Sequence, residues 1–144
     1  MDLYEIFKIE KDELDVKTLS PLTWAYVGDC VYELYVRTSL VNKTRLKPHK
    51  LHIEAIHYVK AQSQAKILQD IQEILSEEEK DVVRRTRNTE NHHLPKNAEP
   101  QDYMYATAYE GLIGYLYLTK QDKRLKEILD ISIKKLDEQG ENMV

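Results

Sequence analysis

Leu22 to Val36, LTWAYVGDCVYELYV, is an almost wholly apolar stretch that reads as a helix yet carries Gly28 and Asp29 side by side at its middle. A glycine inside a helix costs roughly 1 kcal/mol relative to alanine, and a carboxylate on a buried face costs several unless something positive neutralises it. A chain that keeps both has a use for them. One reading ends the helix at Gly28 and lets Asp29 cap the next one. The apolar pattern runs through both residues unbroken and favours one continuous helix.

The anomaly recurs. Asp102 to Lys120, DYMYATAYEGLIGYLYLTK, is again apolar, with Glu110 beside Gly111 and Gly114 a turn later. Small residues at Ala25, Gly28 and Cys30 in one helix, and at Ala106, Gly111 and Gly114 in the other, let two backbones come close. Close approach brings Asp29 and Glu110 together. Two like charges in a low-dielectric cleft repel, so one keeps its proton or a divalent cation lies between them; the cation is the expectation carried forward.

The rest of the chain reads as helices of an all-α bundle. Ser20–Pro21 is a helix start, and the first long helix runs from there to about Val41. Pro48 opens a second helix, with an interruption expected near Ala61 to Ser63. Ser76 and Glu79 form a capping box for a helix that ends in Arg84, Arg85 and Arg87. The polar stretch 89–101, TENHHLPKNAEPQ, reads as a long loop of the kind that carries function. An amphipathic helix through Leu125, Ile128, Leu129 and Ile133 closes the chain. The 144 residues are expected to form one domain, with a core of about 20–137, an N-terminal extension at 1–19 and a tail at 138–144. No apolar run approaches the ~20 residues of a membrane span, the N-terminus lacks a signal-peptide shape, and Cys30 is the lone cysteine, so the expected setting is a reducing cytoplasm.

The net charge of −4 argues mildly against a nucleic-acid partner, but its distribution argues for one. Between 37 and 60, Arg37, Lys43, Arg45, Lys47, Lys50 and Lys60 face only Glu54, while the acids concentrate at 1–20 and 70–81. Segregation of this kind builds a basic face on an acidic protein, although solvated helix faces would look the same. His49, His52 and His57 lack a completing ligand for a metal site and read as surface or RNA-facing residues.

AYVGDCVYELYVR at 25–37, VVRRTRN at 82–88, PKNA at 95–98 and YATAYEGLIGYLYL at 105–118 together resemble the catalytic domain of the ribonuclease III family. The resemblance is to its short bacterial branch, Mini-ribonuclease III, which has no separate double-stranded-RNA-binding domain. It implies a homodimeric helical endonuclease domain that hydrolyses double-stranded RNA with Mg²⁺, or Mn²⁺ in its place, each subunit cutting one strand. It assigns Asp29 and Glu110 as catalytic metal ligands. Larger family members carry two further glutamates and an aspartate where this chain has Leu22, Ala25 and Thr107. Arg84, Arg85, Arg87, Lys96 and Asn97 are expected to bind RNA, with Arg37, Lys43, Arg45 and Lys47 as a second set. Tyr26, Tyr32, Tyr109 and Tyr115 are offered as dimer-contact surface, or else as core. Maturation of large-subunit (23S) ribosomal RNA precursor, and a ribosomal-protein cofactor, are implied by the same resemblance.

Two other readings remain open at this point. The three missing acids motivate a catalytically silent RNA-binding or ribosome-associated protein on the same fold. A helical interaction module whose carboxylates are merely buried and paired with Arg or Lys is the blander one.

Overall fold

A computed structural model describes residues 3–89 and 96–141 and is helical throughout, with no strand among the described residues. The elements are α1 (Leu3–Ile6), α2 (Glu13–Lys17), α3 (Pro21–Lys43), α4 (Pro48–Val59), α5 (Ala61–Ile71) with a 3₁₀ turn (Gln72–Ile74), α6 (Glu77–Asn88), α7 (Pro100–Leu118) and α8 (Asp122–Glu141). The expected helix starts are present. The Ser20 hydroxyl accepts from the Leu22 amide with Pro21 at the first helical position, and Ser76 and Glu79 exchange both bonds of a capping box. Gly28 does not end a helix; α3 passes straight through it. Of the stretch expected to form a long loop, residues 90–95 lie outside the described residues, and Asn97 takes a left-handed φ of 72°.

α7 is apolar around most of its circumference, which suits the centre of a bundle. Ala106, Ala108, Tyr109 and each residue from Gly111 to Leu116 are buried there, with α3, α5, α6 and α8 packed around them. α3 presents Trp24, Gly28, Tyr32, Val36 and Leu40 to this centre, a stripe repeating every fourth residue. A smaller cluster of Val16, Trp24, Val82 and Tyr115 ties α2 to the bundle, and the Trp24 indole N–H donates to the Val16 carbonyl at 2.8 Å. Tyr32, Tyr109 and Tyr115 are therefore core residues and not contact surface; burial of their rings leaves only Tyr26 of the four exposed.

The break between α4 and α5 falls at Lys60, whose ψ of 150° is extended. A helix end leaves four carbonyls without intrahelical partners. Here each has one: Ile56 from the Lys60 amide at 3.1 Å, His57 from the Ser63 hydroxyl at 2.5 Å, Tyr58 from the Tyr32 hydroxyl at 2.7 Å, and Val59 from the Gln64 amide at 2.8 Å. Elsewhere, buried Glu79 receives Arg124 at 2.8 and 2.9 Å, and Arg124 also donates to the Ile74 carbonyl at 2.6 Å, joining α6 to α8.

Candidate active site

The site is made by a crossing with no side chain in it. A Cβ added to Gly28 would stand 1.8 Å from the Glu110 carbonyl oxygen, and one added to Gly114 would stand 1.8 Å from that of Trp24. α3 and α7 thus touch backbone to backbone, each through a glycine one turn from the other's contact point. They run in opposite senses, with Trp24 edge-on to Tyr115 at 5.1 Å and Tyr32 edge-on to Tyr109 at 5.2 Å. Gly111 does not take part. It faces α6, where an added Cβ would meet the Thr86 side chain at 2.4 Å. Cys30 likewise points out of the crossing and is exposed.

Because Asp29 follows Gly28 and Glu110 supplies the carbonyl that Gly28 meets, the crossing sets the two acids beside each other. Their carboxyl groups are in hydrogen-bond contact. Asp29 is exposed and Glu110 is partly buried. Burial, reinforced by the Asp29 carboxyl and more weakly by Glu33, pushes the Glu110 carboxyl up to about 9, against the lowering effect of the Gln64 amide. Two acids this close, one of them held protonated by burial, form a place where a cation can substitute for that proton.

Both acids border one open groove of about 920 Å³, which is mostly apolar. Leu22, Ala25 and Thr107, the positions where larger relatives of the resembled family carry acids, line the same groove. The Thr107 hydroxyl is committed to the Tyr103 carbonyl of its own helix at 2.8 Å. The low-dielectric walls made by these replacements help raise the Glu110 carboxyl.

None of the nine residues expected to bind RNA lines this groove. Arg37, Lys43, Arg45, Lys47, Arg84, Lys96 and Asn97 are exposed, and Arg85 and Arg87 are partly buried. Several already have protein partners. Arg37 pairs with Glu33 at 2.8 Å, Lys43 with Asp137 at 3.3 Å and Arg84 with Asp81. Arg85 has a structural task, stacking on Trp24 at 5.0 Å and donating to the Lys17 carbonyl at 3.4 Å. His49, His52 and His57 are exposed, and among the described residues no group of three or more His, Cys, Asp or Glu side chains could hold a metal ion.

Two neighbours of Glu110 escaped the sequence reading. Glu33, one turn beyond Asp29, adds to its electrostatic surroundings, and Gln64 of α5 touches its carboxyl. For Gln64 a signal existed: it shares the buried stripe of α5 with Ile67, Leu68 and Ile71, at helical spacing. A polar side chain on an apolar face calls for a partner.

Comparison with known proteins gives the same picture. Residues 22–121 match the model of the Ribonuclease III domain. The chain is 48% identical over 123 residues to Mini-ribonuclease 3 of Thermoanaerobacter sp. (strain X514), covering 85% of this chain and 87% of that one. To Mini-ribonuclease 3 of Enterococcus faecalis (strain ATCC 700802 / V583) it is 45% identical over 129 residues, covering 88% of this chain and 98% of the relative. A crystal structure of a Fusobacterium nucleatum protein superposes with a TM-score of 0.75 at 30% identity, covering 84% of this chain and 97% of that one.

Proposed function

The chain belongs to the ribonuclease III family, in its Mini-ribonuclease 3 branch, and from that membership as an endoribonuclease we propose that it cuts double-stranded RNA at Asp29 and Glu110. The observation that carries the assignment is the glycine crossing, which brings two acids distant in sequence into contact at the lip of one groove. Family membership sets aside the catalytically silent alternative. The paired-carboxylate module does not fit either, because the partner of Glu110 is another acid.

The donor set fits a divalent ion of one kind. Mg²⁺ takes one or two carboxylates and keeps several waters, whereas structural zinc wants four nitrogen or sulfur ligands. Asp29 and Glu110 would hold Mg²⁺, or Mn²⁺ in its place. When bound, the ion supplies a nucleophile at neutral pH and offsets charge on the phosphate and the departing 3′ oxygen. The two acids act as ligands and not as proton shuttles. The apolar groove walls around them limit competing water and strengthen every charge interaction at the scissile phosphate.

Duplex RNA is recognised through phosphates and 2′-hydroxyls across a shallow minor groove. Arg37, Lys43, Arg45 and Lys47 around the end of α3, with Arg84, Arg87, Lys96 and Asn97 near the 88–100 connection, would supply those contacts, and Arg85 chiefly holds Trp24. Binding through such a surface is salt-sensitive. The second strand needs a second site. Tyr26, 79% exposed, together with Leu34 and Phe7, leaves an apolar rim around the groove that a second copy of this chain would cover. The natural substrate we propose is the stem of the large-subunit (23S) ribosomal RNA precursor, in the cytoplasm, on the strength of the branch to which the chain belongs. A ribosomal-protein cofactor gains no support from the site geometry.

The test uses a perfect RNA duplex with and without Mg²⁺. Asp29→Asn and Glu110→Gln each lower the cleavage rate by on the order of 10³-fold or more, equivalent to about 4 kcal/mol, while circular dichroism and duplex binding persist. Loss of binding in step with activity would overturn the ligand assignment.

A further inference from the structure

Gln64 is only 3% exposed and lies against the Glu110 carboxyl from the α5 side. A buried primary amide has two N–H donors and one acceptor oxygen to satisfy. The nitrogen is accounted for, since it donates to the Val59 carbonyl at 2.8 Å and meets Glu110. The oxygen is not. Gln64 Oε1 is sealed from solvent and has no hydrogen-bond partner, the buried side-chain atom among the described residues of which this is true. An unsatisfied buried polar atom is costly, and native structures keep one mainly where water, an ion or a ligand completes it. Capping α4 explains the nitrogen alone.

We propose that Gln64 is a positioning residue of the metal site: its amide nitrogen fixes the Glu110 carboxylate, and its carbonyl oxygen accepts a hydrogen bond from a hydration water of the ion held by Asp29 and Glu110. This deepens the active-site reading above and rests on it. The arrangement answers a shortage of oxygens. Mg²⁺ demands near-octahedral coordination, and Leu22, Ala25 and the committed Thr107 hydroxyl leave two carboxylates to provide it. Waters fill the remaining positions, and ordered waters need acceptors. Outer-shell partners of this kind orient the ligands and are worth roughly 10- to 100-fold in metal affinity or activity.

Gln64→Met keeps the length of the side chain and removes both polar groups, whereas Gln64→Glu keeps an acceptor oxygen in the same place. The full-length wild type and both variants are titrated with Mg²⁺ alone by calorimetry and by thermal shift, without RNA, and kcat and KM are then measured on the duplex. Gln64→Met binds Mg²⁺ about 10- to 100-fold more weakly and loses kcat with KM for the duplex unchanged. Its metal-free melting temperature is compared with that of the wild type so that loss of the bond to the Val59 carbonyl is read separately from loss of metal binding. Gln64→Glu keeps the acceptor oxygen but loses the donor to Glu110, and binds Mg²⁺ more tightly than Gln64→Met. Wild-type Mg²⁺ affinity in Gln64→Met, or no gain in affinity of Gln64→Glu over Gln64→Met, overturns the proposal, and Gln64→Leu takes the place of the Met variant if that one does not fold. Should Asp29→Asn and Glu110→Gln leave cutting intact, the active-site reading falls; should they abolish it while Gln64→Met behaves as wild type, only the Gln64 inference falls.

Discussion

α3 and α7 are written in nearly the same alphabet, apolar over most of their length with a glycine and an acid at the middle, yet the middle of α7 is covered on nearly every side and α3 on one. On α7 the apolar residues from Ala106 to Leu116 are buried against protein neighbours, and of its large apolar side chains only Met104, in its first turns, is exposed. On α3 the face opposite the Trp24–Leu40 stripe shows Tyr26, Leu34 and Val41 to solvent. Similar composition thus does two jobs. In α7 it fills a monomer core, and in α3 the second apolar face is unused within one subunit, which is the physical ground for a partner copy.

The largest effect that could break this comparison lies where the helices touch. Gly28→Ala gains about 1 kcal/mol of helix propensity but drives a methyl group into a peptide carbonyl, which cannot rotate away. We expect Gly28→Ala and Gly114→Ala each to destabilise by at least about 3 kcal/mol or to prevent folding, as read by urea denaturation. A stable, active Gly28→Ala would mean that the helices can part without moving the acids. Next in size, truncating fully buried Leu112 of α7 to alanine should cost about 2–5 kcal/mol in the same assay.

A third test asks whether the carboxyl pair is strained without metal. The folded state holds the Glu110 proton from the ordinary carboxyl range of 4.5 up to about 9, whereas the unfolded chain releases it near 4.5. The folded state therefore binds more protons across that window. Stability in a chelator should fall as pH rises through it, by at most about 1.4 kcal/mol per pH unit. Mg²⁺ should reverse the loss, and Glu110→Gln should flatten the profile. A metal-free profile that rises with pH over this window would contradict the burial of Glu110. The smallest effect belongs to the uncovered face. Leu34→Ala, at a residue 57% exposed, should change monomer stability by no more than about 0.5 kcal/mol, yet shift sedimentation toward the monomer. Equal costs for Leu34→Ala and Leu112→Ala would erase the distinction between the two helices.

What the sequence made legible was what broke a local rule. Gly28 beside Asp29 and Gly111 beside Glu110 are poor choices for apolar helices, and departures of this kind collect at functional sites. They located both acids and their convergence. Helical period, however, reports which face of a helix is apolar and not which neighbour covers it. For that reason Gly111 read as part of the α3 crossing when it packs on Thr86, and three core tyrosines read equally well as surface. Arg85 shows the same limit: a cation at a helix end looks available until Trp24 is found beneath it. The contact of Gln64 with Glu110 was hidden because it joins residues 46 positions apart, which no local pattern encodes.

At the meeting of Gly28 with Glu110 and of Gly114 with Trp24, peptide groups rest on peptide groups. The spacing of the two main chains that carry Asp29 and Glu110 is therefore set by main-chain radii that every protein shares. Redesign of the groove wall at Leu22, Ala25 or Leu34 can accordingly proceed from a fixed datum, with the wall open to change and the attachment points of the two acids held constant.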